Sequence, residues 1–171
     1  MRKKERHDLR VKKVYEYAAD IVSSDCLKQE ERIRQHGSGN CYRHSLAVAA
    51  ASVGLAESLR LDLDMESMII GALLHDYYLY DWRSGDVSRW RHGRTHARCS
   101  LENACRDFEL TPISRDVIEK HMFPLTVEIP RYKESVVVNV ADKFCAAREV
   151  YSHVRFGLWG KIRRRFPAPT A

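Results

Sequence analysis

The chain has 171 residues, a formal net charge of +6 and an apolar fraction of 44%, which suits one folded domain with its own core. No apolar stretch approaches the roughly 20 residues of a membrane span, and no apolar leader follows the basic start MRKKERHDLRVKK, so a cytoplasmic protein is expected. Five cysteines, an odd number with no CxxC among them, argue against a disulfide framework and a cysteine zinc site and predict reduced, mostly buried thiols.

Helical periodicity dominates. Residues 8–22 gather Leu9, Val11, Val14, Tyr15, Ala18, Ala19 and Val22 into an amphipathic helix. Residues 25–35 form a shorter, polar candidate with Asp25 as its cap, and HGSGN follows as a glycine-rich break. Asn40 can cap the next helix, CYRHSLAVAAASVGLAESLRL, and Asp64 the one after it, MESMIIGALLHD. Residues 81–91 lack periodicity and read as a loop. A helix resumes at HARCSLENACRDF. Thr111 then caps another with Pro112 at its first position, where the missing N–H costs nothing, and that helix ends before Pro124. FPLTVEIPRY is irregular.

Valines from Ser135 to Val140 would suit a strand, but the apolar pattern continues through Phe144, Ala147 and Val150, so a helix is preferred. Residues 156–171 read as a loosely held basic tail. The expectation is a single all-α domain over residues 1–155, a bundle of about six or seven helices, with that tail behind it.

The basic ends could touch nucleic acid, but no recognition motif accompanies them, and solvated charge is the preferred reading. Of eight histidines, His7, His36 and His153 occupy bland helix-end or charged positions. His44 lies inside an otherwise small and apolar helix, on the face of Val48, Ala51 and Leu55, where an imidazole must find a partner. His121 lies beside Val117 and Ile118. His75 and Asp76 stand together at the end of the apolar run Met68–Leu74. Asp142 is a lone carboxylate in VVVNVADKFCAA. His92 and His96 are spaced i,i+4, although Gly93 between them makes a helix there doubtful. One metal centre would account for all these buried polar groups, and imidazole with carboxylate suits zinc, iron, manganese or nickel.

Taken in order, His44, His75-Asp76, His96, His121 and Asp142 resemble the HD-domain superfamily of metal-dependent phosphohydrolases, whose pattern is H…HD…H…H…D across a helical domain. YRHSLAVA, GALLHD and VADKFCAA carry the local likeness, and HARCSLENA and VIEKHMFPL resemble the segments that supply a second metal. The likeness spans residues 40–150. It implies an HD-type helical bundle with a first divalent ion held by His44, His75, Asp76 and Asp142. Asp76 would bridge to a second ion on His96 and His121.

One or two ions, of iron, manganese, zinc, nickel or magnesium, are the implied cofactor. Lys143 matches a position that often meets substrate phosphate. Asp76 and His92 are the expected catalytic residues. His92 could orient His96, contact phosphate or replace His96 as ligand. Arg94 and Arg131, with Arg83 and Arg91, fall in the two irregular stretches and are candidate phosphate contacts. Tyr77, Tyr78, Tyr80 and Trp82 could stack on a base, although at least two should be core.

The expected activity is metal-dependent hydrolysis of a phosphate ester of a nucleotide or other small phosphorylated molecule, through a metal-activated hydroxide. The alternative is a catalytically silent regulatory protein that binds metal or nucleotide. The expected partner is the small phosphorylated substrate, with no membrane, nucleic acid disfavoured and a homodimer left open.

Overall fold

The computed structural model describes residues 2–34, 39–81 and 89–165. His36 with most of the glycine-rich break, Trp82, Arg83 and the last tail residues 166–171 lie outside the described residues. The helices are α1 (Lys3–Ser23), α2 (Asp25–Lys28), α3 (Cys41–Leu59), α4 (Met65–Leu74), α5 (Arg89–Asp107), α6 (Pro112–Lys120) and α7 (Lys133–Arg165), with a 3-10 turn at Gln29–Arg32. No β-strand occurs among the described residues, as expected of an all-α bundle.

Local chemistry sets most boundaries. Asn40 Oδ1 accepts from the Arg43 N–H at 2.9 Å, Asp64 Oδ1 from Ser67 at 2.9 Å and Thr111 Oγ1 from Ser114 at 3.1 Å. These are three of the four caps expected. At α2 the cap is Ser24, not Asp25: its Oγ accepts from Leu27 N–H at 3.1 Å, and the helix gives way after one turn to the 3-10 turn. Helix α1 begins at Lys3, because the charged start is made of good helix formers.

Two further expectations are corrected. Helix α5 starts at Arg89, so residues 89–91 are helical and Gly93 lies inside it. Helix α7 takes in the valine run and continues past residue 155 to Arg165, so the loose tail expected from 156 is helical that far.

Helix α4 is the centre of the bundle. It packs against α1, α3, α6 and α7, and Met68, Ile69, Ala72, Leu73 and Leu74 are fully buried. A helix apolar nearly all round belongs inside. Gly71 lets α6 approach: a Cβ there would lie 2.6 Å from Val117 Cβ. This contact sets the ends of α4 and α6 side by side.

A buried polar clamp ties α6 to α7. Asp116 pairs with Lys120 at 2.6 Å, and Asp116 Oδ2 also accepts from Ser135 Oγ at 2.6 Å and from the Arg131 N–H at 2.9 Å.

Candidate metal centre

Five helices deliver the polar residues that the sequence singles out. His44 projects from the first turns of α3, and His75 and Asp76 follow directly on α4. His96 lies on α5, His121 is the C-cap of α6 and Asp142 lies on α7. His44, His75, Asp76, His96 and His121 are all buried. Their ligand atoms converge in two sets, His44–His75–Asp142 and Asp76–His96–His121, each with its atoms within 4.8 Å of one another.

Hydrogen bonds aim the rings. His75 Nδ1 bonds the Ala72 carbonyl, His96 Nδ1 the His92 carbonyl and His121 Nδ1 the Ile118 carbonyl, each at 2.8 Å. A carbonyl can only accept, so each Nδ1 carries the proton, and in the neutral ring Nε2 is left as a lone pair. Those lone pairs face inward. The Nε2 atoms of His96 and His121 stand 2.9 Å apart, and His75 Nε2 has no hydrogen-bond partner among the described residues. Buried lone pairs facing one another call for a cation.

Asp76 spans the two sets. Its Oδ2 lies 3.4 Å from His75 Nε2 and 4.0 Å from His44 Nε2, while its Oδ1 lies 3.4 Å from His96 Nε2 and 3.6 Å from His121 Nε2. One oxygen thus faces each set, as a bridging carboxylate requires. Asp142 Oδ1 closes the first set at 3.0 Å from His44 Nε2 and 3.6 Å from His75 Nε2.

Electrostatics in the metal-free cluster are strained in opposite directions. Burial drives the His121 imidazole down to about 3, with the charges of His75 and His96 adding to the effect. For His44 burial also opposes charge, but hydrogen bonds to Asp142 and Glu149 prevail and raise it to about 10. Burial would raise the Asp142 carboxyl, yet His44 and His75 hold it well below the usual carboxylate range. The cluster therefore holds protons where a divalent ion would otherwise sit. Once those protons leave, the buried imidazole nitrogens and carboxylate oxygens, already oriented, fit such an ion.

Sequence reasoning missed Glu149 and Asn139. Glu149 Oε1 lies 3.1 Å from His44 Nδ1 and so fixes the ring that turns Nε2 inward. Its signal was position: it follows Asp142 by two helical turns on α7 and shares that face. Asn139 Nδ2 donates to the carbonyls of His121 at 2.7 Å and Phe123 at 2.8 Å, holding the end of α6 against α7.

The remaining expected residues stand as follows. His92 lies outside both sets. Its carbonyl orients His96, its ring stacks on that of His96 with centroids 4.7 Å apart, and its Nδ1 meets Tyr80 Oη at 2.9 Å. Lys143 Nζ donates to the His121 carbonyl at 3.1 Å, beside the second set. Arg91 and Arg94 are exposed on helix α5 rather than in a loop, and Arg131 is exposed just ahead of α7. Tyr77 and Tyr78 are core, Tyr77 Oη donating to Asp107 at 2.9 Å and Tyr78 Oη meeting Cys41 Sγ at 3.2 Å. All five cysteines are free thiols.

Among the described residues no helix is long and apolar enough to cross a membrane. No curated protein and no solved structure matches the chain. The family model of the HD domain matches residues 41–147, the stretch that carries His44, His75, Asp76, His96, His121 and Asp142. With well over half of its length matched, the chain belongs to the HD domain family.

Proposed function

We infer that the chain is a divalent-metal phosphohydrolase that cleaves a phosphate ester of a nucleotide or another small phosphorylated molecule. HD domains are generally metal-dependent hydrolases. The observation that carries the reading is Asp76, with one carboxylate oxygen facing His44 and His75 and the other facing His96 and His121. His44, His75, Asp76 and Asp142 would hold one ion, and Asp76, His96 and His121 the other. Such ions supply a nucleophile from water at neutral pH and positive charge for the phosphoryl oxygens.

The chain's own groups do the rest. Glu149 and the carbonyls of Ala72, His92 and Ile118 keep the four imidazoles aimed. Lys143 lies at the edge of the second set, where its ammonium can meet a phosphate oxygen while one proton stays on the His121 carbonyl. Arg94 and Arg131, at the surface, are the candidates for the distal part of the substrate.

The test is an assay of the purified chain with manganese, iron(II), nickel, zinc or magnesium against nucleotides, dinucleotides and simple phosphate esters, with Asp76→Ala alongside. Metal-dependent release of phosphate or nucleotide, lost in Asp76→Ala together with bound metal, is the expected result. Activity retained in that variant would sink the mechanism. Metal uptake without turnover on any substrate would favour a regulatory metal- or nucleotide-binding protein.

A further inference from the structure

Among the described residues, Glu30 is the most deeply buried acid that the ligand pattern does not use. It sits in the 3-10 turn Gln29–Arg32, which packs against α3, and its relative exposure is 0%. Among the described residues neither of its carboxyl oxygens has a hydrogen-bond partner. An acid in such a place is costly unless something compensates it.

Its surroundings point to the metal centre. The charges acting on Glu30 are those of Asp76, His75 and His44. Ser45, the neighbour of His44, brings its hydroxyl close enough to act on Glu30 too. That hydroxyl falls short of bonding geometry and is itself without a partner. His75 Nε2 is another buried orphan of the same region. Burial first, and then the charge of Asp76, push the Glu30 carboxyl up to about 8. A bound cation would act the other way.

Charge counting gives the residue a role. Two divalent ions bring four positive charges into a buried cluster of imidazoles. Asp76, Asp142 and Glu149 supply three negative ones and a metal-activated hydroxide would supply a fourth, so Lys143 beside Asp142 leaves one positive charge uncompensated. We propose that Glu30 is the fourth carboxylate of the metal centre, facing the His44–His75–Asp76 cluster from the 3-10 turn and supplying the remaining negative charge to bound ions. This inference rests on the metal-binding reading of the site. Glu30 lies outside both ligand sets and acts as a positioning and charge-balancing residue.

The experiment is calorimetric titration of the chelator-treated full chain with manganese(II) alone, for the native protein, Glu30→Gln and Glu30→Leu. Metal-free thermal unfolding runs alongside. Both variants should melt no lower than the native chain when metal-free, because a buried unpaired acid has gone. Their manganese affinity should fall about 10- to 100-fold, the usual cost of removing a supporting carboxylate. Folded variants that titrate as the native chain does would overturn the assignment and leave the metal reading intact. A native chain that takes up no manganese would overturn both. Should neither variant fold, a crystal structure of the manganese-loaded native chain decides. Glu30 turned towards the ions supports the proposal, and Glu30 turned away onto Ser45 or backbone overturns it.

Discussion

Gly71→Ala is a one-methyl test of how the fold sets the site. Two effects compete. Alanine is a better helix former than glycine by about 1 kcal/mol. Against that, the new Cβ would stand 2.6 Å from Val117 Cβ and 2.7 Å from Val117 Cγ1. Val117 Cβ is joined directly to the α6 backbone, so no flexible side-chain end can swing away, and α4 and α6 must part. Overpacking of this kind costs about 3 kcal/mol at the upper end of the usual range. The net loss is then about 2 kcal/mol, or about 4–8 °C in Tm for a chain of this size.

The same displacement lengthens the 3.6 Å approach of Asp76 Oδ1 to His121 Nε2, so the variant should also bind manganese more weakly. Circular dichroism melts in chelator, with a manganese titration, measure both. A double-mutant cycle isolates the cause. In the Val117→Gly background the clash is gone and only the propensity gain is left, so Gly71→Ala should raise Tm there. An equal effect of Gly71→Ala in both backgrounds would refute the close-approach argument.

Glu149→Gln keeps an acceptor for His44 Nδ1 but removes its charge. It should weaken metal affinity about tenfold or more by calorimetry, and native affinity would show that the charge is idle. The raised value of His44, about 10, gives a pH dependence of opposite signs. Below the unfolded value of about 6.5 the bound proton contributes its full stability to the metal-free chain, and that share is lost as pH rises through about 10. A metal ion must displace the same proton, so affinity should rise about tenfold per pH unit from pH 6 to 8, and a flat profile would contradict it.

Lys120→Met strips the partner from a buried carboxylate and should cost about 3 kcal/mol in urea unfolding. Burial would raise Asp116, but Lys120, Ser135 and the Arg131 N–H hold it low. Its stabilising share is therefore present above about pH 4 and lost as pH falls. Loss of that acid sensitivity in Lys120→Met is the accompanying check.

What the sequence made legible was local. Asn40, Asp64 and Thr111 cap their helices through bonds three residues away, and the order of the clustered histidines and aspartates could be read from short contexts around each. What it hid was non-local or masked by composition. Glu149 acts on a residue 105 positions earlier, and no window of sequence contains both. The start of α5 was hidden because Gly93 and the charged stretch before it carry no apolar period. A tertiary contact explains neither Ser24 over Asp25 nor the early start of α1; competing local chemistry does, in that either residue could cap and a charged run can be helical without an apolar face.

The imidazole-to-carbonyl bonds of His75, His96 and His121 reach back only three or four residues along the chain. The bond that aims each ring is therefore also part of its helix's own terminal or local turn. Local opening of one such turn would free a residue of the candidate site without unfolding the domain. Ion exchange in this protein should then follow the opening of single turns, and its rate should be far faster than global unfolding. The lifetime of a bound ion would be set by the least stable of three helical turns.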